Sequence, residues 1–457
     1  MTGRERAVAY VREHREAFLE SLKEFLRIPS ISTTPEHADD VREAAEWVAD
    51  YLRALGLANV RVYPTSGHPV VYGESLAAGE GAPTVLIYGH YDVQPADPLD
   101  LWETPPFEPS IRGEHIYARG ATDMKGQVMA TLAAVEAIVR TGDLPVNVKF
   151  LIEGEEEVGS PSLPAFIAQH KGMLACDVSL NPDAGMLAPD KPTITYALRG
   201  LAYFEVWVYG PKQDLHSGVF GGVVHNPAQA LAELIAGMHD EHGHITLPGF
   251  YDSVRPLDEE ERAELARLPM GEDFYLENTG VPALWGEPEY TPVERATARP
   301  TLEVNGIVSG FTGEGAKTVI PSKAMAKISM RLVPDQDPKE VHQQLLRYLK
   351  EHAPETIRWD VVEMHGAPPA ITDRHSPGVQ AMAQAMETVW GVRPLFKREG
   401  GTIPVVAFIR EQLGADSVLT GFAMPGDNMH GPNEKLHLPT WYRGIEALVH
   451  FLYNMGA

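Results

Sequence analysis

The spacing of apolar and polar residues changes period repeatedly along the first 200 residues, and each change marks a new element. Apolar positions recur every three to four residues near 4–27, 40–55 and 127–141, which predicts amphipathic helices. Short apolar runs such as TVLIYGH and VNVKFLIEG lie between the helices and predict strands. A further helix is predicted to begin at Ser160-Pro161, with the serine as its N-cap. Because strands and helices alternate, we expect a largely parallel, three-layer α/β domain.

From about residue 200 the order of the predicted elements changes. The strand GLAYFEVWVYG precedes a helix that begins at Asn226-Pro227, and the strands LEVNGIVSG and AMAKISMRLVP follow. A capping signal at Asp337-Pro338 predicts the start of the next helix, and IRWDVVEMHG predicts a last strand. This β-α-β-β-α-β order is typical of the split βαβ, or ferredoxin-like, sandwich. A polar, proline-rich insertion is expected at about 240–300.

Length and composition agree with a globular protein of two or three domains. The chain has 457 residues, of which 44% are apolar and 22% are charged. The last ninety or so residues return to the α/β pattern of the N-terminal part. The sequence therefore predicts a catalytic domain in two segments, 1–196 and 365–457, interrupted by a smaller inserted domain, 197–364.

The charge and the single cysteine limit the possible partners and the compartment. A net charge of −25, from 38 basic and 63 acidic residues, argues against nucleic acid or an anionic membrane as the main partner. No apolar run approaches the ~18 residues of a membrane span. The charged N-terminal stretch lacks the pattern of a signal peptide. Cys176 alone excludes an internal disulfide, so we expect a reducing, cytoplasmic location.

Residues that bind metals recur where predicted strands end, which is where open α/β sheets place their sites. His90 and Asp92 lie two positions apart at the end of TVLIYGH, so their side chains point the same way on an extended backbone. Asp92 is placed to orient the imidazole through its second ring nitrogen. Further clusters are RGATDMKG with Asp123, EGEEEVGS with Glu153, Glu155, Glu156 and Glu157, NPDAG with Asp183, and GDNMHGPNEKLHL with His430 and His437.

Each cluster alone has an ordinary structural interpretation as a cap, a turn or polar surface. Together, two histidines and three carboxylates form a ligand set that suits a pair of zinc ions or similar cations. A carboxylate shared by two metals is the usual arrangement in dinuclear aminopeptidase-type sites. The residues therefore predict two divalent metal ions per chain, with zinc favoured and manganese and cobalt as alternatives.

The order and spacing of GHYDVQP, RGATDMKG, EGEEEVGS, NPDAG and GDNMHGPNE resemble those of dinuclear zinc metallopeptidases of the aminoacylase, carboxypeptidase and carnosinase group. The resemblance covers essentially the whole chain and implies that the inserted domain is a lid and dimerisation domain. LHSGVFGG, GAKTVIPSKAMAKISMRLVP and REGGTIPVV are most similar to the carnosinase-like cytosolic dipeptidases. The family therefore implies a homodimer that hydrolyses dipeptides or short peptides with a free C-terminal carboxylate.

The resemblance also implies a role for individual residues. One metal would be bound by His90 and Asp183 and the other by Glu157 and His430, with Asp123 bridging the two. Asp92 would hold the imidazole of His90, and Glu156 would be the general base. Glu153 and Glu155 are expected at the strand end and in solvent. His216, in DLHSGV, would donate to the tetrahedral oxyanion from the lid of the partner subunit.

The same resemblance suggests the groups that bind the substrate. Arg331 is the candidate for the substrate carboxylate, because a planar guanidinium matches a carboxylate in two hydrogen bonds. The further candidates are Thr318, Thr402, the backbone around Gly400-Gly401, and His365. The family also implies a cis peptide bond between Asp123 and Met124.

Two other functions are compatible with these patterns. An N-acyl-amino-acid amidohydrolase would use the same metals and base, with an acyl group in place of the N-terminal amino acid. A binding or scaffold protein could keep the fold without metals. The presence of the full ligand set favours an enzyme.

Overall fold

A computed structural model describes residues 1–401 and 403–457, and the chain forms two compact units. The first unit comprises Met1–Tyr196, Thr372–Lys397 and Pro404–Ala457. The second comprises Ala197–Ile371 and Arg398–Ile403. Thr402, one of the predicted substrate contacts, lies outside the described residues.

The N-terminal segment of the first unit contains six helices and eight strands among its described residues, the last strand ending in the second unit. In chain order they are α1 (Gly3–Glu13), α2 (Arg15–Leu26), α3 (Ala38–Ala54), β1 (Ala58–Tyr63), β2 (Val70–Ser75), β3 (Thr84–His90), β4 (Ser110–Arg112), β5 (His115–Tyr117), α4 (Lys125–Thr141), β6 (Asn147–Glu153), α5 (Leu163–Gln169), α6 (Lys171–Leu174), β7 (Val178–Asn181) and β8 (Thr193–Leu198).

The second unit contains the elements of the inserted domain. They are β9 (Gly200–Tyr209), β10 (Leu215–His216), α7 (Ser217–Phe220), α8 (Pro227–Ala236), α9 (Glu259–Leu265), α10 (Glu272–Thr279), α11 (Pro292–Thr297), β11 (Thr301–Ser309), β12 (Val319–Ile320), β13 (Lys323–Leu332), α12 (Pro338–His352), β14 (Arg358–Ala367) and β15 (Ala370–Ile371). The chain continues with α13 (Pro377–Trp390), β16 (Leu395–Glu399), α14 (Pro404–Leu413), β17 (Asp416–Leu419), β18 (Lys435–His437) and α15 (Leu438–Met455).

The central sheet of the first unit is mixed, with strand order β1-β2-β6-β3-β7-β17-β8. The four strands β6, β3, β7 and β17 run parallel, whereas β1, β2 and β8 are antiparallel to their neighbours. The predicted α/β class is confirmed, and the prediction of a largely parallel sheet holds only for its centre. A short loop joins β1 to β2, and such a connection is too short for the crossover that a parallel pair requires.

Helices cover this sheet on both faces, as the burial of the central strands requires. Every residue of β6 and β7 is buried, which is the pattern of parallel strands enclosed between two helical layers. α13 and α14 both pack on β17, while α4 packs on β3 and against α1, α2 and α15. The carboxyl ends of β3, β6 and β7 therefore lie next to one another at one edge of a rigid core.

The second unit is an antiparallel sheet, β11-β13-β9-β14, with α8 and α12 on one face. Alternate residues of β9 and β13 are buried in a core that includes Phe204, Val206, Ile328 and Leu345. The predicted β-α-β-β-α-β order is confirmed, and both helices begin at their predicted proline. The insertion between α8 and β11 contains three short helices, α9 to α11.

Two predicted helix boundaries are wrong. The first helix is interrupted at His14, where α1 ends and α2 begins. The helix predicted from Ser160-Pro161 begins at Leu163 instead, because Ser160 has a positive φ of 52° and belongs to the preceding turn. Over residues 1–401 and 403–457, no helix is both long and apolar enough to cross a membrane.

Candidate metal centre

The end of β3 buries His90 completely and orients its ring from within the same segment. The Nδ1 atom of His90 lies 3.0 Å from the main-chain oxygen of Asp92 and 3.4 Å from its carboxylate. The nearer acceptor is therefore the carbonyl of Asp92, where the sequence had suggested the carboxylate. A hydrogen bond at Nδ1 leaves Nε2 to face the other clusters, which is how metal-binding imidazoles are usually held.

The carboxylate of Asp92 points instead at the turn that follows β6. It accepts hydrogen bonds from the backbone N–H groups of Glu156, at 3.3 Å, and Glu157, at 3.1 Å. These two residues open a short 3-10 turn, Glu156–Val158, whose first N–H groups lack partners within the turn. The buried Asp92 thus satisfies the turn and sets the position of both glutamates.

Asp123, just before α4, lies between the two histidines. Its Oδ1 is 3.2 Å from Nε2 of His90, and its Oδ2 is 2.9 Å from Nε2 of His430. The peptide bond between Asp123 and Met124 is cis, as predicted. One carboxylate therefore faces two imidazoles from segments more than 300 residues apart in the chain.

Two groups of potential ligands share this aspartate. The first contains His90, Asp123 and Asp183, and the second contains Asp123, Glu157 and His430. Within each group the candidate ligand atoms lie within 4.8 Å of one another. Glu157 Oε2 is 3.3 Å from Nε2 of His430, and Asp183 Oδ1 is 4.0 Å from Nε2 of His90.

The donor set fits a pair of divalent cations. The Nε2 atom of His90 is buried and makes no hydrogen bond to any residue in 1–401 or 403–457. It faces carboxylate oxygens of Asp123, Glu156 and Asp183 at 3.2 to 4.0 Å. A buried imidazole nitrogen without a hydrogen bond, surrounded by carboxylates, is the arrangement that zinc and similar ions occupy in proteins.

The electrostatics of the cluster lead to the same conclusion. Without cations, burial and the charge of Asp123 raise the pKa of Glu157 to about 8, and burial raises the pKa of Asp183 to about 8. Burial opposes ionisation of Asp123, but the hydrogen bond with His430 and the contact with His90 hold its pKa below the usual range. The hydrogen bond with Asp123 raises the pKa of His430 to about 9. Without metal ions, bound protons therefore reduce the negative charge of this cluster, and metal ions would take the place of those protons.

Glu153 ends β6, as predicted, but both it and Glu155 are buried, so the predicted placement in solvent is wrong. Glu153 accepts hydrogen bonds from the hydroxyl groups of Tyr88, at 2.7 Å, and Ser160, at 2.8 Å. Glu155 accepts from the backbone N–H groups of His68 and Ser162. Both carboxylates hold the loop around the candidate metal ligands in place.

One contact in the centre was missed from the sequence. The side-chain nitrogen of Gln94 donates a hydrogen bond of 2.7 Å to Oε2 of Glu157. Gln94 belongs to GHYDVQP, two positions after Asp92, and its place in that motif was the available signal. Gly154, between Glu153 and Glu155, is also required, because a Cβ atom there would collide with the ring of Tyr91.

The other predicted site residues lie in the second unit. His216 is exposed, and its Nδ1 accepts a hydrogen bond of 2.9 Å from the N–H of Gly218, so a neutral ring carries its proton on Nε2. Thr318 is adjacent, since its carbonyl accepts from the N–H of Ser217 at 3.1 Å. The structure therefore brings His216 and Thr318 together on the ribbon of β10 and β12.

Arg331 lies on β13, on the sheet face opposite α8 and α12, and is half-buried. Burial and then the charge of Arg331 lower the pKa of Arg199 to about 10. In the sheet, Arg331 pairs with Leu201, two positions after Arg199. Arg199 also donates to the carbonyl of Gly400 at 3.1 Å, next to Gly401. His365, on β14, contacts the ring of Tyr203 edge-on at 5.3 Å and is exposed.

Comparison with known proteins identifies the family. The family model described as peptidase family M20/M25/M40 matches residues 86–454. The chain belongs to this peptidase family. It is therefore an enzyme, and the predicted metallopeptidase family is confirmed.

Individual members of the family are similar along nearly their whole length. The chain is 32% identical to the Cys-Gly metallodipeptidase DUG1 of Candida albicans, covering 98% of this chain and 96% of that protein. It is 34% identical to the human Beta-Ala-His dipeptidase, covering 99% and 92% respectively. The crystal structure of the M20 metallo-carboxypeptidase Sso-CP2 from Sulfolobus solfataricus is similar with a TM-score of 0.83 and 35% identity, covering 96% of this chain and 99% of that one.

The raised pKa values predict that the metal-free protein binds zinc more weakly as the pH is lowered from about 9 to about 6. Glu157 and Asp183, with pKa values of about 8, and His430, with a pKa of about 9, bind protons in this range. A cation must displace those protons, so the affinity should fall by about 10-fold per pH unit for each proton released. Chelator competition, corrected for titration of the chelator, measures the affinity. Calorimetry in two buffers counts the protons. An affinity that does not change over this range would contradict the prediction.

Proposed function

We propose that this enzyme hydrolyses the peptide bond of dipeptides or short peptides that carry a free C-terminal carboxylate, using two metal ions and a glutamate base. The observation that carries the proposal is that Asp123 belongs to both groups of candidate ligands. Glu156 lies beside this arrangement, with its Oε2 4.0 Å from Nε2 of His90. Its neighbour Glu157 belongs to one of the ligand groups, so adjacent glutamates take different roles.

In the proposed mechanism, His90 and Asp183 would hold one cation and Glu157 and His430 the other, with Asp123 as a ligand common to both groups. The two cations would supply a water molecule of lowered pKa and polarise the scissile carbonyl. Glu156 accepts the proton of the attacking water on its carboxylate and returns it to the nitrogen of the leaving amine. Burial raises the pKa of Glu156, which suits a group that must both take and release a proton.

Residues of the second unit would recognise and stabilise the substrate. The proton on Nε2 of His216 makes this ring a hydrogen-bond donor for the oxyanion. Arg331 would bind the substrate carboxylate, and the nearby charge of Arg199 supports an anion-binding role for this sheet face. Thr318, Thr402, Gly401 and His365 are proposed as further substrate contacts. Asp92 orients both His90 and the turn that carries the base.

We also propose zinc as the metal ion and the cytoplasm as the location of the enzyme, each from indirect observations. The imidazole and carboxylate ligands favour zinc, and they also suit manganese or cobalt. A single cysteine, Cys176, is compatible with a reducing cytoplasm.

Substrate class is tested by comparing unblocked dipeptides with their N-acetylated counterparts, using metal-stripped protein with zinc or manganese restored. The names of the relatives from Candida albicans and Homo sapiens make Cys-Gly and β-Ala-His the first unblocked substrates to test. We expect metal-dependent release of amino acids from the unblocked set. Hydrolysis of the acetylated set alone would instead identify an N-acyl-amino-acid amidohydrolase, an alternative that the dipeptidase relatives do not favour.

Replacing Glu156 by glutamine should lower kcat by about 1,000-fold or more, because an amide cannot accept the proton of the attacking water. The metal content should not change, since Glu156 is in neither ligand group. Glu446→Gln is the control for removing a carboxylate from the same unit, because Glu446 and its partners Arg12 and Arg15 belong to neither ligand group. Elemental analysis and steady-state kinetics provide the two readouts. Activity retained in Glu156→Gln would assign the base elsewhere.

The family resemblance further leads us to propose a homodimer in which His216 acts in the active site of the partner subunit. Mixing His216→Ala chains with Glu156→Gln chains, each inactive alone, should then restore part of the activity, because some composite sites contain neither substitution. Subunit exchange is verified with differently tagged chains. If exchange is complete and no activity returns, each chain must use its own histidine.

A further inference from the structure

A buried carboxylate outside both ligand groups connects the two loops that supply Asp123 and His430. Glu434 lies four residues after His430 and directly before β18, and it is fully buried. Its main-chain oxygen accepts a hydrogen bond of 3.1 Å from the N–H of Ala118, which continues the pairing of β18 with β5. The segment that follows His430 is therefore attached to the segment that precedes Asp123.

The side chain of Glu434 adds four hydrogen bonds between the same two segments. Its Oε2 accepts from the guanidinium of Arg119 and from the N–H of Gly120, both at 2.8 Å. Its Oε1 accepts from the N–H groups of Thr122 and Asp123, at 2.9 and 3.0 Å. Four donors thus converge on one buried carboxylate, and such charge-assisted hydrogen bonds are stronger and shorter than those between neutral groups.

The arrangement reaches the metal centre from two directions. One of the four donors is the N–H of Asp123 itself, so the backbone of the shared aspartate is held directly. Arg119, which is also buried, donates with its other nitrogen to the carbonyl of Pro95 at 3.0 Å. Pro95 follows Gln94, whose amide contacts Glu157. All three residues of the second ligand group are therefore connected to the Glu434–Arg119 pair.

We propose that Glu434 is a positioning residue that sets the distance between Asp123 and His430 and thereby the affinity for the second cation. Of the three residues in the second group, Asp123 and His430 both depend on Glu434, whereas in the first group only Asp123 does. Loss of the carboxylate should therefore weaken the second position more than the first. The inference rests on the two-metal centre proposed above.

Glu434→Gln tests this with little change in shape. The amide nitrogen would face N–H donors in either orientation, so two of the four hydrogen bonds are lost. We expect the affinity for the second zinc ion to fall by about 10- to 100-fold, with a smaller effect on the first. Stepwise zinc titration against a chelator measures both affinities. In the metal-free protein, amide hydrogen exchange should become faster at Gly120 or at Thr122 and Asp123, according to which oxygen the amide nitrogen replaces.

Glu446→Gln is the matched control, because it also removes one buried carboxylate from the first unit. Glu446, on α15, is mostly buried and accepts from Arg12 and Arg15. Among the described residues, the hydrogen bonds and ion pairs of these arginines reach no candidate ligand. This variant should lower stability without changing either zinc affinity. If Glu434→Gln does not fold, Arg119→Lys keeps the charge and removes the forked contact to Glu434 and Pro95. It should then weaken the second position by a smaller factor.

Equal weakening of both positions, or unchanged exchange at all three amides of Gly120, Thr122 and Asp123, would overturn the positioning role. A wild-type chain that binds no zinc would count against the proposed two-metal enzyme instead. In that case the exchange rates of the three amides, which require no metal, would still support or refute the action of Glu434 on this loop.

Discussion

The first unit must accommodate several negative charges in a space from which most water is excluded. Asp92, Asp123, Glu156, Glu157 and Asp183 approach one another where the carboxyl ends of three buried strands meet. An isolated carboxylate is costly to bury, so each one needs a cation, a proton or several hydrogen-bond donors. The arrangement of the other residues in the centre follows from which of these partners each carboxylate has.

The carboxylates divide into two kinds by their partners. Asp92, Glu155 and Glu434 accept hydrogen bonds from backbone N–H groups of segments distant in sequence, and they hold loops in place. Asp123, Glu157 and Asp183 face imidazoles and one another, so cations are the partners that suit them. Loops carry the reactive groups in many α/β enzymes because a rigid sheet supports them. Here, carboxylates that accept hydrogen bonds from backbone N–H groups extend that rigidity beyond the ends of the strands.

The second unit has a different balance of charge and exposure. Its sheet packs α8 and α12 on one face, while the other face is half-exposed and carries Arg331 near Arg199. A guanidinium on this half-exposed face suits an anion, which agrees with a substrate that has a free carboxylate. Family membership and the dipeptidase relatives point to the same class of substrate.

The sequence by itself determined the order of the elements and the family. Helix and strand periods, together with capping residues such as Asn226 and Asp337, are local, because they depend on residues a few positions apart. Five motifs in order were sufficient to propose the ligands, since the ends of parallel strands must meet at one edge of a sheet. Only the tertiary structure decided which carboxylates are buried, and it corrected Glu153 and Glu155. It also decided that the carbonyl of Asp92, and not its carboxylate, is nearest His90, and that Glu434 holds the loop of Asp123. Apart from the contact between His90 and Asp92, these contacts join residues from tens to more than 300 positions apart, and no local period of apolar and polar residues records them.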